Sequence, residues 1–166
     1  MRLLDPILSE LDQEAATTRR VLERVPTDRL AWKPHPKSMS LGQLALHIAQ
    51  TPGVIAGFIA EPTLEAPDEF KQEAATSTSE VLSTLEASLG RAREILSSMD
   101  DATVLLPWTL TSKGRTLMAM PRLGVVRVIM LNHWYHHRGQ LSVYLRELNV
   151  PVPSIYGPSA DENPFQ

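Results

Sequence analysis

Apolar residues recur three and four positions apart in four long stretches of the chain, and proline-broken polar segments separate them. In the first, from about Asp5 to Val25, the stripe is Leu4, Ile7, Leu8, Leu11, Ala15, Thr18, Leu22 and Val25. Asp5 is placed to cap this helix and Pro6 suits its first turn. The second begins at Ser40, which with Gln43 has capping-box spacing, and shows Leu41, Leu44, Ala45 and Ile48 on one face. Pro52 and Gly53 are expected to kink or break it before residues 54–60. The third opens on a second capping-box pair, Ser77 and Glu80, and carries Val81, Leu82, Leu85, Leu89, Ala92, Ile95, Leu96 and Met99 to an end near Asp100. The fourth opens at Pro121 or Arg122 and runs to about Asn149; it is apolar on most sides and is expected to be the most buried.

The connectors have their own character. Residues 26–39 form a loop in which Trp32 is expected to cover one end of the core. Residues 61–76 are polar and interrupted by Pro62 and Pro67, a long crossover rather than a tight turn. Residues 102–120 suggest two short extended arms around a turn at Lys113-Gly114, with Pro107 confining the first arm to a sheet edge. After Val150 the prolines at 151, 153 and 158 impose an extended tail that ends near Asp161 and Glu162. The expectation is an all-α fold: a four-helix bundle with long crossover connections, and a small extended hairpin between helices three and four. It would form a single domain over residues 1–166.

Composition narrows the function classes. A formal net charge of −3 argues against general binding to nucleic acid or to anionic membranes. No stretch reaches the ~20 uninterrupted apolar residues of a membrane span. The N-terminus lacks the long apolar run of a signal peptide, so a cytoplasmic location is expected. The chain contains no cysteine, which excludes disulfides, thiolate metal sites and a cysteine nucleophile. Any metal must be held by nitrogen and oxygen.

Three of the five histidines fall within Asn132-His133-Trp134-Tyr135-His136-His137-Arg138-Gly139-Gln140. His133 and His137 are four apart, so on a helix their rings share one face and can hold a single divalent cation. A third ligand must come from elsewhere. His47 is the one histidine in an otherwise apolar helix and is a better candidate than His35, which lies between two prolines in a loop. His136 is read as a supporting or surface residue. Glu14, Gln140, Tyr144 and Asp161 are potential neighbours of the site, and Gln140 and Tyr144 continue the His133–His137 face. Arg138 either binds an anionic substrate or, the favoured reading, snorkels at a dimer surface. No residue is assigned a catalytic or cofactor-binding role.

The segment Leu131–Leu141, the helix start Ser40–His47 and the tail 150–162 resemble those of the DinB family (DinB/YfiT-like metalloenzymes). The resemblance implies a four-helix bundle with unusual connectivity, a homodimer, and a three-histidine divalent metal site whose ligands fall on His47, His133 and His137. It also implies chemistry with a low-molecular-weight thiol such as bacillithiol or mycothiol, by transfer or isomerisation on a small-molecule substrate. Nitrogen-only ligation suits zinc or nickel, with iron also acceptable. A metal-dependent hydrolase that activates water, and a non-catalytic metal-binding stress-response dimer, are the alternatives.

Overall fold

The computed structural model describes residues 1–69 and 71–165. Helix α1 spans Asp5–Leu22, α2 Leu41–Ala60, α3 Thr78–Ser98 and the short α4 Asp101–Leu105. Strands β1 (Thr63–Glu65), β2 (Pro107–Ser112) and β3 (Arg115–Pro121) form one sheet. A last helical column follows without a break: α5 (Arg122–Val125), a π-helical stretch (Val126–Asn132) and α6 (His133–Glu147). The fold is therefore mostly helical with a three-stranded sheet, and the all-α expectation is corrected to that extent.

Local chemistry explains most of the boundaries. Ser40 Oγ accepts from the Gln43 amide while Gln43 Oε1 accepts from the Ser40 amide, a complete capping box at the start of α2. At α3 only half of the box forms. Ser77 Oγ accepts from the Glu80 amide, but the Glu80 carboxylate turns to the amide and hydroxyl of Thr76 instead. Asp5 is the first residue of α1 rather than its cap, and its carboxylate is taken by Arg2. α3 ends at Ser98, near Asp100 as expected, and Asp100 caps α4 by accepting from the Thr103 amide.

The sheet differs from the expected hairpin in one respect. β2 and β3 pair antiparallel around Lys113-Gly114, both with positive φ (49° and 77°), as the sequence of the turn predicts. The crossover, however, contributes β1, which pairs parallel with β2 through Thr63–Thr109, Leu64–Leu110 and Glu65–Thr111. The strand order is β1-β2-β3, so Pro107 lies in the central strand and not at an edge. Proline is tolerated there because it is the first residue of β2, two positions before the pairing with β1 begins.

α2 packs against α3, the last column and β1, and it is the more deeply buried of the two site-bearing helices. Leu41, Leu44, Ile48, Ala56 and Ile59 lie within the main core, together with Leu11, Leu22, Leu85, Leu96, Met130 and Leu145. By length and composition α2 could cross a membrane, but 56% of its apolar window is buried inside this domain, as befits a core helix. Its C-terminal carbonyls are satisfied from outside the helix. Trp108 Nε1 donates to Phe58 O at 3.0 Å, and the buried Arg122 donates to Ile59 O at 2.8 Å.

Gly53 allows α2 and α3 to touch. A Cβ built there would stand 2.8 Å from Ser88 O and 2.9 Å from Ser88 Cα. Gly53→Ala is expected to destabilise the protein by roughly 1–3 kcal/mol through this overlap. At Gly90 of α3 a Cβ meets nothing within 4 Å. Gly90→Ala should therefore stabilise by about 0.5–1 kcal/mol. Urea denaturation of the two variants checks the pair, and equal effects of the same sign would refute the packing argument.

Candidate metal centre

Of the kink or break expected at Pro52, the break does not occur: the proline sits inside α2 and the helix continues through it to Ala60. Proline has no N–H, so the carbonyl of Ile48, four residues earlier, loses its helical donor. The indole of Trp134 fills the gap: Nε1 donates to Ile48 O at 2.9 Å, and the ring is fully buried. Next to the proline, the Gly53 amide donates to Ser88 Oγ at 2.8 Å, and that hydroxyl donates to Gln50 O at 3.0 Å. Trp134 follows His133, and Ile48 follows His47. Close to the bond that repairs the helix the two histidines meet, their rings edge-on with planes 71° apart.

His47, His133 and His137 converge. Their nitrogens lie within 4.8 Å of one another, and the ring centroids are 4.3–5.2 Å apart. Nε2 of His47 and Nε2 of His133 are 2.9 Å apart. His137 Nδ1 is 2.8 Å from Gln140 Oε1. An amide oxygen only accepts, so Nδ1 carries the hydrogen and Nε2 keeps its lone pair for the cluster. Among the described residues the group is three imidazoles with no carboxylate. The residues fit a divalent ion: with ligand bonds of about 2.0–2.1 Å, neighbouring nitrogens around one cation stand about 3 Å apart, so small side-chain shifts suffice.

Burial sets the protonation state. Desolvation pushes the His47 pKa down to about 4, and the neighbouring His137 and His133 push the same way. His133 and His137 are also lowered, each mainly by burial. The rings are therefore neutral at pH 7, the form that ligates metal.

The remaining expectations divide. His35 is an exposed loop residue whose Nδ1 accepts from the Lys37 amide, and His136 is exposed beside His137, with ring centroids 5.0 Å apart. Gln140 reaches the site through His137. Glu14, Tyr144 and Asp161 are engaged elsewhere, with Arg138, Met39 O and Arg146 respectively. Arg138 is corrected from a surface residue to a buried one, 1% exposed. It pairs with Glu14 at 2.6 Å, donates to Thr18 Oγ1 at 3.0 Å, and lies over the rings of Tyr135 and Tyr156. Tyr156 comes from the tail, whose part in this cluster no helical periodicity could reveal. Sequence reasoning also missed the cavity of about 530 Å³ that opens beside His47 and His133.

Two outcomes follow from this geometry. Trp134→Phe should cost roughly 1–3 kcal/mol by orphaning a buried carbonyl. In a Pro52→Ala background the restored amide serves Ile48 O, so the same change should cost clearly less; additive losses in a urea double-mutant cycle would refute the repair. The second concerns pH. The His47 pKa is lower in the folded chain, about 4, than its ordinary 6.5, so the unfolded chain takes up more protons between those values. Stability of the chelator-treated protein should be full above pH 6.5 and fall as pH drops toward 4. His47→Gln should flatten that slope in melts across the window.

Comparison with known proteins agrees with the architecture. The chain is 27% identical over 159 residues to the uncharacterized protein YrdA of Bacillus subtilis (strain 168), covering 96% of this chain and 91% of the relative. Its fold is similar to the crystal structure of the DinB-like protein YjoA of Bacillus subtilis, with a TM-score of 0.69 and 20% identity over 91% of this chain and 98% of that one. A DinB-like protein from Bacillus cereus ATCC 10987 gives the same TM-score, 0.69, at 24% identity over 90% and 95% of the two chains. The DinB family profile matches residues 2–164, nearly the whole sequence, and the chain belongs to the DinB family.

Proposed function

We propose that His47, His133 and His137 hold one divalent cation, zinc or nickel before iron, and that the protein uses it to activate a low-molecular-weight thiol or water for transfer or isomerisation on a small-molecule substrate. The observation that carries this reading is the convergence of three imidazole nitrogens within 4.8 Å, one of them oriented by Gln140. A divalent ion held by three neutral nitrogens keeps open positions, and a thiol or water bound there loses its proton near neutral pH.

The chain's own residues supply the rest. His47 is fixed by α2, and Thr51 Oγ1 donates to the His47 carbonyl at 2.7 Å. His133 and His137 are presented by successive turns of α6. Gln140 holds the His137 ring and its tautomer. The apolar cavity beside His47 and His133 limits the water around a reacting group. The absence of cysteine means that a reacting sulfur must arrive with a small molecule. A homodimer in the cytoplasm belongs to the same proposal; Val128 and Val143 stay exposed on the last column and offer apolar surface to a second copy.

Elemental analysis of the purified protein tests the ligand set. About one equivalent of metal is expected per chain, with loss in His47→Ala, His133→Ala and His137→Ala. Gln140→Ala should retain the site but weaken it about 10–100-fold. Undiminished metal in all three histidine variants would overturn the assignment. Conjugation assays with bacillithiol, mycothiol, glutathione and coenzyme A against electrophiles then separate thiol transfer from thiol-free hydrolysis.

A further inference from the structure

The cavity next to the histidines has a shape that the metal reading does not require. Its volume, about 530 Å³, is in the range of small-molecule pockets. One wall is a single face of α2. His47, Thr51, Val54 and Phe58 all line it, spaced four, three and four residues apart. Eleven residues of helix rise about 16 Å, so this wall is a trough that starts at His47 and runs three turns down the helix. The opposite wall is a rung of the sheet. Leu64, Leu110 and Met118 are successive cross-strand partners on β1, β2 and β3, and all three line the cavity. The buried Trp108 gives the far end an apolar surface, because its N–H is already engaged by Phe58 O.

These walls are apolar but unfinished. Ile55, Phe58, Leu64, Leu110, Met118 and Ile129 are all only half-buried, and Val54 is 38% exposed. Charge appears on the crossover rim, at Lys71 and Glu73. The inner end carries nitrogen ligands, while the body of the trough offers few hydrogen-bonding groups.

We propose that this trough is the substrate pocket, and that it takes an organic molecule with an aryl or alkyl body lying along α2 toward Phe58 and one polar, metal-seeking group at His47 and His133. The reacting end rests on the metal reading above; binding of the apolar body does not. The β1 strand, absent from any simple hairpin, is what completes the rung and gives the trough its third residue.

A series of straight-chain hydroxamic acids, from acetohydroxamic to octanohydroxamic acid, tests this by calorimetric titration of zinc-loaded and chelator-treated protein. Affinity should rise about two- to fourfold for each added methylene until the trough is filled, with a similar increment in both forms. Val54→Asp on α2 and Met118→Lys on β3 place charge in opposite walls at half-open positions; thermal melts confirm folding, and zinc content reports the histidines separately. Each should flatten the chain-length dependence while zinc stays bound. Affinity independent of chain length, or a slope untouched by both substitutions, overturns the pocket. A normal slope in a protein that takes up no zinc supports the pocket and overturns the metal reading.

Discussion

Pro52 removes one N–H from the middle of the most buried helix, and a bare carbonyl in a core costs about 1–3 kcal/mol. The protein meets this with the indole of Trp134. The repair has a geometric consequence, because a hydrogen bond is short and directional in a way that apolar packing is not. It fixes α6 against α2 both along and around the helix axes. Next to this fixed point His47 and His133, the residues preceding the two partners, meet with their Nε2 atoms 2.9 Å apart. The same stretch of α2 is held to α3 by Ser88, which serves both Gly53 and Gln50. A helix anchored on two sides at its weakest point is a rigid platform for a ligand set.

The last column shows a related economy. Its middle, Val126–Asn132, is π-helical and gives way to α-helix at His133. A π turn carries one residue more than an α turn and re-phases every side chain that follows. The column can thus keep Val126, Met130 and Leu131 in the core and still present His133 and His137 toward α2. On its other side Arg138 is buried, and it is held by Glu14, Thr18 and two tyrosines rather than by solvent. Tyr156 ties the tail into that cluster and also donates to Glu14 at 3.0 Å. Different faces of one helix thus carry candidate metal ligands and a compensated charge.

The candidate ligands were legible because both signals involved are local. A four-residue spacing places His133 and His137 on one face, and a solitary histidine in an apolar helix marks His47. The helix starts were legible for the same reason, since a capping box lies within four residues. What could not be read depends on partners distant in sequence. β1 is three residues long and exists only through its pairing with β2, 46 positions later. Pro107 reads as an edge residue until the register shows that the pairing begins beyond it. Pro52 reads as a kink or break until Trp134 is found supplying the missing donor to Ile48 O. Arg138 reads as a surface residue because neither Glu14 nor Tyr156 is near it in the chain.

The contact between His47 and His133 bears on why the three rings stay together without a carboxylate. The two Nε2 atoms stand at hydrogen-bonding distance, 2.9 Å. That separation is also close to the one that two nitrogens adopt around a single cation. The fold therefore holds the pair near the geometry that the proposed ion would need. Burial works in the same direction. It disfavours a positive charge on any ring, so the imidazoles stay neutral, the form in which they could hold a cation. Preorganisation by Trp134, orientation by Gln140 and desolvation by the apolar trough are separate contributions, and each can be removed without deleting a ligand.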